Sequence, residues 1–434
     1  IDIANFNGIG GSTILYSGHF LRFHPSDFKV KSIDNISCNW PINYQELEPY
    51  YEINDKITGI HGLEGDPAYP KIKNLKSPIS LGKSGELISK SFKKLNWHCW
   101  PSYSAIDVKN KFSVKTVNHT YLPLIKKSKN ITIKKNLEVV KILSSEKKVK
   151  GILCYDKKKN IFKFTSKIII LACNGVGTPR LLLNSKNKFF NDGIANNSSG
   201  LVGKNLMLHP LGFAEGTFNQ NLNSDFGPEG CCVYSHQFYE TNKRNRYKRG
   251  YTMQILRGSG PLETSLYLRK INKLKFGSNF FRNFFENYNK TIPIAIISED
   301  LPKITNEVSL NKDINDTFGM PCVKIKYKID KNTKEILKAG INSARKVLEV
   351  AGAKKIFSFA PVKHTGWHLM GTAKMGNNKK NSVVNKYGQC HDLKNLVIVD
   401  SSIFTTGGAV NPISTIQALA LKISKRILEK KNEY

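Results

Sequence analysis

Two histidines carry the most chemical promise in this chain. In HTGWHLMGTAKMG, His364 and His368 stand four residues apart. On a helix that spacing puts two imidazoles on one face, as a metal pair needs. Gly366, Gly371 and Gly376 argue against a helix here, and no acidic third ligand lies nearby. The other chemical reading makes His368 a proton-transfer group beside a glycine-rich turn, which suits imidazole because its pKa lies near neutrality. Against it stands the plain case of a lone structural histidine.

The second candidate is NGIGGST, Asn7 to Thr13, which misses G-x-G-x-x-G because Thr13 takes the last place. A dinucleotide fingerprint follows a strand and opens a helix. Only seven residues precede Gly8, and Gly18 and Pro25 follow, so the segment reads as an irregular loop. Its glycines let backbone approach a ligand closely, with an ordinary turn as the alternative. A third candidate is Asp400, at the end of the strand NLVIVDSS, where α/β folds hold sugar hydroxyls. The fourth is Asn411-Pro412. This pair reads as an N-cap and first helical residue, whose helix start presents partial positive charge.

The elements that must position these groups are legible in part. A turn and then a helix are predicted within Trp40 to Ile60, and a second helix over Gly85 to Leu95. Asn130 to Leu143 offers one or two short strands, and KVKGILCYD with Ile161 to Cys173 adds two or three more around a turn at Asp156 to Asn160. Thr178 suits an N-cap and Pro179 the first position of a helix carrying Leu181, Leu182 and Leu183. Strand, glycine turn and capped helix make one α/β unit, and its helix start is a place for phosphate. Residues 213–365 change texture, with Phe280, Phe281, Phe284 and Phe285 clustered, mixed strand patterns and one helix over Thr333 to Ala351. The chain returns to α/β character after 366. A long helix over Asn411 to Lys431 places Ile413, Ile416, Leu419, Ala420, Ile423 and Ile427 at spacings of three and four.

Composition sets the outer limits. The 434 residues predict two or three domains, and 40% hydrophobic content allows a sizeable core. A disordered tail, a collagen and a small disulfide scaffold are excluded. The apolar runs Ile168 to Cys173 and Ile292 to Ile297 fall far short of the roughly 18 residues that span a membrane. The formal charge of +34 raises nucleic acid or anionic membrane as partners. Its basic residues are nearly all Lys, spread through a chain also rich in Ile and Asn, which fits a solvated surface under AT-rich codon bias. No finger, homeodomain or RNP pattern is present, so no nucleic-acid partner is expected. None of the eight cysteines (Cys38, Cys99, Cys154, Cys173, Cys231, Cys232, Cys322, Cys390) forms a C-x-x-C pair, and mostly buried free thiols are expected. That leans the location toward the cytoplasm. A periplasmic or membrane-peripheral site stays open, because the chain starts at Ile1 and shows no leader.

Taken together and in order, these segments resemble the glucose-methanol-choline (GMC) flavin oxidoreductases. The resemblance is strongest in WHLMGTAKMG, SVVNKYG and NLVIVDSSIFTTGGAVNPISTIQALALKI, and extends to CNGVGTPRLLLNS, SSGLVGKNLMLHP, GIGGST and WPINYQELEPYY. It implies an α/β, Rossmann-like FAD-binding domain, N-terminally truncated, with a discontinuous α+β substrate-binding domain. The FAD-binding domain would comprise residues 1–40, 119–212 and 366–434. Substrate-side helices and loops would fill 41–118, and the substrate-binding domain 213–365. The resemblance further implies non-covalent FAD and oxidation of a CH–OH group of an alcohol, sugar or sugar acid. His368 would take the hydroxyl proton as hydride leaves for flavin N5, and Asn411 would bind the same oxygen. Gly10, Gly11, Ser12 and Thr13 would lie along the pyrophosphate and flavin. Val139 would contact adenine, Asp400 the ribityl chain, and Pro412 would open the helix facing the pyrimidine ring. The electron acceptor would be oxygen, a quinone or a cytochrome. Ile14 stands where some members attach flavin through His. The family's first strand and G-x-G-x-x-G helix are missing from the 434 residues. The competing expectation is therefore an FAD-free fragment or a basic binding module. A serine hydrolase is set aside because no G-x-S-x-G elbow occurs.

Overall fold

The computed structural model describes residues 1–110, 113–227, 232–270 and 273–431. Its organisation follows from where the apolar runs find partners. Ile169–Leu171 pairs in parallel with Leu396–Ile398, so two strands from opposite halves of the chain lie side by side. A three-stranded antiparallel sheet, Glu138–Ser144, Val149–Tyr155 and Ile161–Thr165, adjoins this pair. Asn395 joins the two. Its carboxamide oxygen accepts from Val149 N at 2.9 Å, and its nitrogen donates to the carbonyls of Val149 and Lys167. Buried amide groups need such partners, so one side chain fixes the register between the sheets.

Helix Tyr44–Thr58 is capped by Asn43, whose side chain accepts from Glu46 N. It packs on the C-terminal helix Ile413–Glu429, where Tyr51 Oη meets Thr415 Oγ1 at 2.7 Å. The run that includes Ile292 to Ile297 is a central strand. All eight residues of Thr291–Ser298 are buried, because a helix covers one face and the molecule's interior the other. It lies in a six-stranded antiparallel sheet with Trp100–Pro101, Val233–Ser235, Tyr251–Ile255, Leu211–Thr217 and Lys355–Phe359. Helix Lys331–Val350 crosses this sheet, and Gly340 allows close approach: a Cβ there would sit 2.4 Å from Ile296 Cγ2.

Several expectations need correction. The helix after Cys173 spans Asn174–Asn184, beginning four residues before Thr178. The Asn174 carboxamide accepts from Val176 and Gly177 N–H and so satisfies the first turn earlier, leaving Thr178 free to reach Asp400. Of the one or two strands expected within Asn130 to Leu143, one forms, and it starts at Glu138. Residues 213–365 hold more than one helix. Pro261–Lys270 and Ser278–Asn287 are also helical, the latter burying Phe280 and exposing Phe281 and Phe285. The final helix starts at Ile413 with Pro412 at its N-cap, so Asn411 lies outside it. Of the described cysteines, only Cys154 and Cys390 are buried, and all seven are free thiols. Cys231 lies outside the described residues. No helix among the described residues is long and apolar enough to cross a membrane.

Candidate active site

The backbone register builds the site. Met207 N donates to Met370 O at 3.0 Å and Met370 N returns a bond to Met207 O at 3.1 Å. This is an antiparallel bridge, so two residues further along His209 stands opposite His368. Their rings meet edge to face with centroids 5.1 Å apart, and the two Nδ1 atoms are 3.0 Å apart.

Both segments are clamped. Leu369 O accepts from Ser401 Oγ at 2.5 Å, and a Cβ on Gly175 would lie 2.4 Å from that same carbonyl. Only a glycine lets the helix at 174 press this close to the segment that carries His368. On the other side Asp300 Oδ2 accepts from Leu208 N and Tyr327 Oη, both at 2.7 Å, and Ser298 Oγ donates to Pro210 O. Between these fastenings His209 adopts a left-handed φ of 49°, a conformation that costs a non-glycine residue energy and that persists where surroundings hold it.

The electrostatics favour neutral rings. His368 keeps a partly exposed surface while protein surrounds the rest of the ring. Burial, then the nearby His209 and His19, hold its pKa well below the usual 6.5. His209 is fully buried, and burial brings its pKa to about 4 although the backbone of Gly407 and Gly408 acts the other way. His19 is buried too, with a pKa of about 4 from desolvation and no hydrogen-bond partner on Nδ1. A partly accessible, neutral imidazole is what a general base requires.

This burial predicts an acid sensitivity. The folded pKa of His19 lies below its unfolded value, so between pH 6.5 and 4 the unfolded chain binds more protons. Its contribution is complete above that window and lost as pH falls through it. Urea unfolding of wild type and His19→Asn at pH 7 and pH 4 should show wild type losing about 3 kcal/mol relative to the variant. A pH-independent difference between the two would contradict a buried neutral His19. The comparison with a variant is needed because Glu299, raised to about 8 by burial, and Asp300, raised to about 6, shift total stability the opposite way.

The remaining residues singled out in the sequence are placed as follows. His364 is exposed and pairs with Asp2 at 2.6 Å, away from the His209–His368 contact. That pairing belongs to a wider fastening in which Asp2 N meets Lys363 O and Gly366 N meets Asp2 O, bringing the arm before the glycine loop beside the histidine segment. Gly10 and Gly11 have φ of 91° and 57°, and space beyond Gly11 is open for 4 Å. Ser12 Oγ accepts from Phe6 N, and Thr13 Oγ1 donates to Gly10 O. Val139 sits half-buried in its strand opposite Cys154. Asp400 is buried, its carboxyl pushed up by desolvation and bonded to Thr178 Oγ1 and Ser402 N. Asn411 is not used as a cap. Its Oδ1 accepts from Gln254 Nε2 at 2.6 Å, four residues beyond Gly407, whose backbone borders the His209 ring. Sequence patterns assign no site role to His209 or His19, although His209 stands next to last in the motif SSGLVGKNLMLHP. The bridge at Met207 is what brings it against His368.

The residues fit a flavin on two observations. The glycine loop is left-handed at Gly10 and Gly11 with open space beyond Gly11, and His19 keeps a buried ring nitrogen without a protein partner. Comparison with known proteins decides the family. Models described as GMC oxidoreductase match residues 3–211 and 302–420. The chain belongs to the GMC oxidoreductase family. GMC oxidoreductases are FAD-binding flavoproteins, and oxidation of CH–OH groups is the class of reaction. This GMC chain is 34% identical to 2-methyl-1,2-propanediol dehydrogenase of Mycolicibacterium austroafricanum, over 96% of itself and 80% of that protein. It is 24% identical to the fructose dehydrogenase large subunit of Gluconobacter japonicus, over 97% of itself and 80% of that subunit. In fold it is similar to pyridoxine 4-oxidase from Mesorbium loti. The TM-score is 0.69 at 15% identity, covering 98% of this chain and 85% of that one.

Proposed function

We propose that this GMC oxidoreductase oxidises a small alcohol, with a short vicinal diol as first substrate class, and that His368 and Asn411 act on the reacting hydroxyl. The observation that carries the reading is the clamped, neutral, partly accessible His368 ring. The diol follows from the 34% identity to a propanediol dehydrogenase.

FAD, when bound, supplies the hydride acceptor. The protein's part is proton removal and orientation. His368 takes the hydroxyl proton on its outward nitrogen, because hydride departs readily only from an alkoxide-like carbon. Asn411, steadied by Gln254, donates its carboxamide N–H to the same oxygen and fixes which C–H bond faces the cofactor. Gly10, Gly11, Ser12 and Thr13 would hold the cofactor's diphosphate and ring, Val139 would meet adenine, and Pro412 would bring the positive end of a helix to the pyrimidine edge. Asp400 acts through Thr178 and Ser402, which its carboxylate already holds. In domain terms, residues 1–40, 119–212 and 366–434 form the Rossmann-like cofactor half, and 41–118 with 213–365 the substrate half.

The test is anaerobic titration of the full-length flavoprotein with 2-methyl-1,2-propanediol, fructose and pyridoxine. Bleaching of the oxidised flavin by the diol at the lowest concentration is expected. A flavin that no alcohol reduces would contradict the assignment. Adding oxygen, a quinone or a cytochrome to the bleached enzyme then identifies the electron acceptor.

A further inference from the structure

Two neutral imidazoles that face each other through Nδ1 can share only one proton between those atoms. With 3.0 Å between them, one ring must donate and the other accept. Two arrangements are possible. If His209 donates, His368 carries its proton on Nε2 and has no lone pair left for a substrate. If His368 donates, its Nε2 is a free base and His209 carries its own proton on Nε2. The task of His368 selects the second, because only then is its Nε2 lone pair free for a substrate. His209 Nε2 is buried beside Gly407 without a hydrogen-bond partner, so the far side of His209 holds no group that competes for the choice.

We propose that His209 is a positioning residue that holds His368 as the Nδ1–H tautomer with its outer nitrogen free to take a proton. The structure around it supports a built role. The left-handed backbone of His209 is kept in place by Asp300 on Leu208 N, by Ser298 on Pro210 O and by the Met207–Met370 bridge. Such restraint on a strained histidine is unneeded if the ring only fills space. The proton balance closes. His368 gains the hydroxyl proton on Nε2 and becomes imidazolium, while its Nδ1–H stays directed at the His209 lone pair. That lone pair stabilises the charge as it forms, in the way a partner on the far nitrogen of a working histidine does. This inference rests on the reading of His368 as the base.

The test uses the full-length holoenzyme labelled with 15N in its histidine rings. Nitrogen chemical shifts, assigned with His209→Gln and His368→Gln, are expected to show His368 protonated on Nδ1 and bare on Nε2. A proton on Nε2 of His368 would overturn the proposal. A second arm compares His209→Gln with His209→Leu, which meet the same backbone strain. Gln can accept from His368 Nδ1–H and should retain flavin reduction within a few-fold of wild type. Leu should lose roughly 10–100-fold, and the tautomer signal of His368 should broaden or switch. Equal losses in both variants would reduce His209 to a packing residue and overturn its positioning role. Full-rate reduction by His368→Ala would instead overturn the base assignment beneath it, and the tautomer measurement separates the two failures because it does not depend on turnover.

Discussion

Replacing His368 with Ala should slow flavin reduction by a bound alcohol by about 10²–10⁴-fold, the usual yield of a positioned general base. FAD should remain bound, because the segment that carries His368 is held by backbone atoms. Leu369 O keeps its bond from Ser401 Oγ, and Met370 keeps its bridge to Met207. The loss should therefore fall on the reduction step measured by anaerobic rapid mixing, with little change in apparent substrate affinity. At higher pH the deficit should shrink, since an alcohol closer to its own ionisation depends less on a base. A variant that reduces flavin at the wild-type rate would show that another group removes the proton.

Arg249→Met should be the largest stability loss in the molecule. The guanidinium is buried, bonded to Asp27, and lies 3.0 Å from Glu240, 3.5 Å from Asp34 and 3.7 Å from Glu299. Desolvation alone would lower its pKa, but Asp27, Glu299 and Glu240 raise it overall. Removing the cation leaves Asp27 and Glu299 buried without compensation, which costs about 3–5 kcal/mol. The sign with pH is distinctive. Burial already raises Asp27 and brings Glu299 to about 8, and without Arg249 both rise further. A carboxyl whose folded pKa is raised favours the folded state below its unfolded pKa and loses that advantage as pH rises through the folded one. The variant's deficit in urea unfolding should thus be largest near pH 8 and smaller near pH 5, whereas a simple packing defect would not change with pH. The network also reaches the site. Tyr239 Oη donates to Asp27 and accepts from Ala409 N, and Asp27 O accepts from Thr406 Oγ1. The segment leading to Asn411 should loosen along with the core.

What the sequence revealed, and what it did not, follows from the range of the forces involved. The C-terminal helix was legible because Ile416, Leu419 and Ile423 repeat a local period that packing rewards. The parallel strands at Ile169 and Leu396 were legible as short apolar runs, although nothing local says that they pair across more than two hundred residues. The start of the helix at Asn174 is not legible in the sequence. Thr178-Pro179 has the right chemistry for a helix start, and the winning cap was a carboxamide that the pattern does not reward at that position. His364 and His368 looked like a pair by spacing, yet the folded chain sends His364 to Asp2 and gives His368 a partner 159 residues away. That contact depends on a non-local bridge between two methionines, and no pattern along the chain announces it. Asn411 looked like a cap, but Gln254 from the middle of a sheet claims its side chain. Local periodicity fixed the elements; the site was set by the pairings between them.

The most direct measurement is a crystal structure of the full-length flavoprotein with an unreactive alcohol analogue bound. The hydroxyl oxygen should lie within about 3 Å of both His368 Nε2 and the Asn411 carboxamide, with its carbon turned to the flavin ring. An oxygen held by other side chains, with His368 and Asn411 facing separate spaces, would contradict the account.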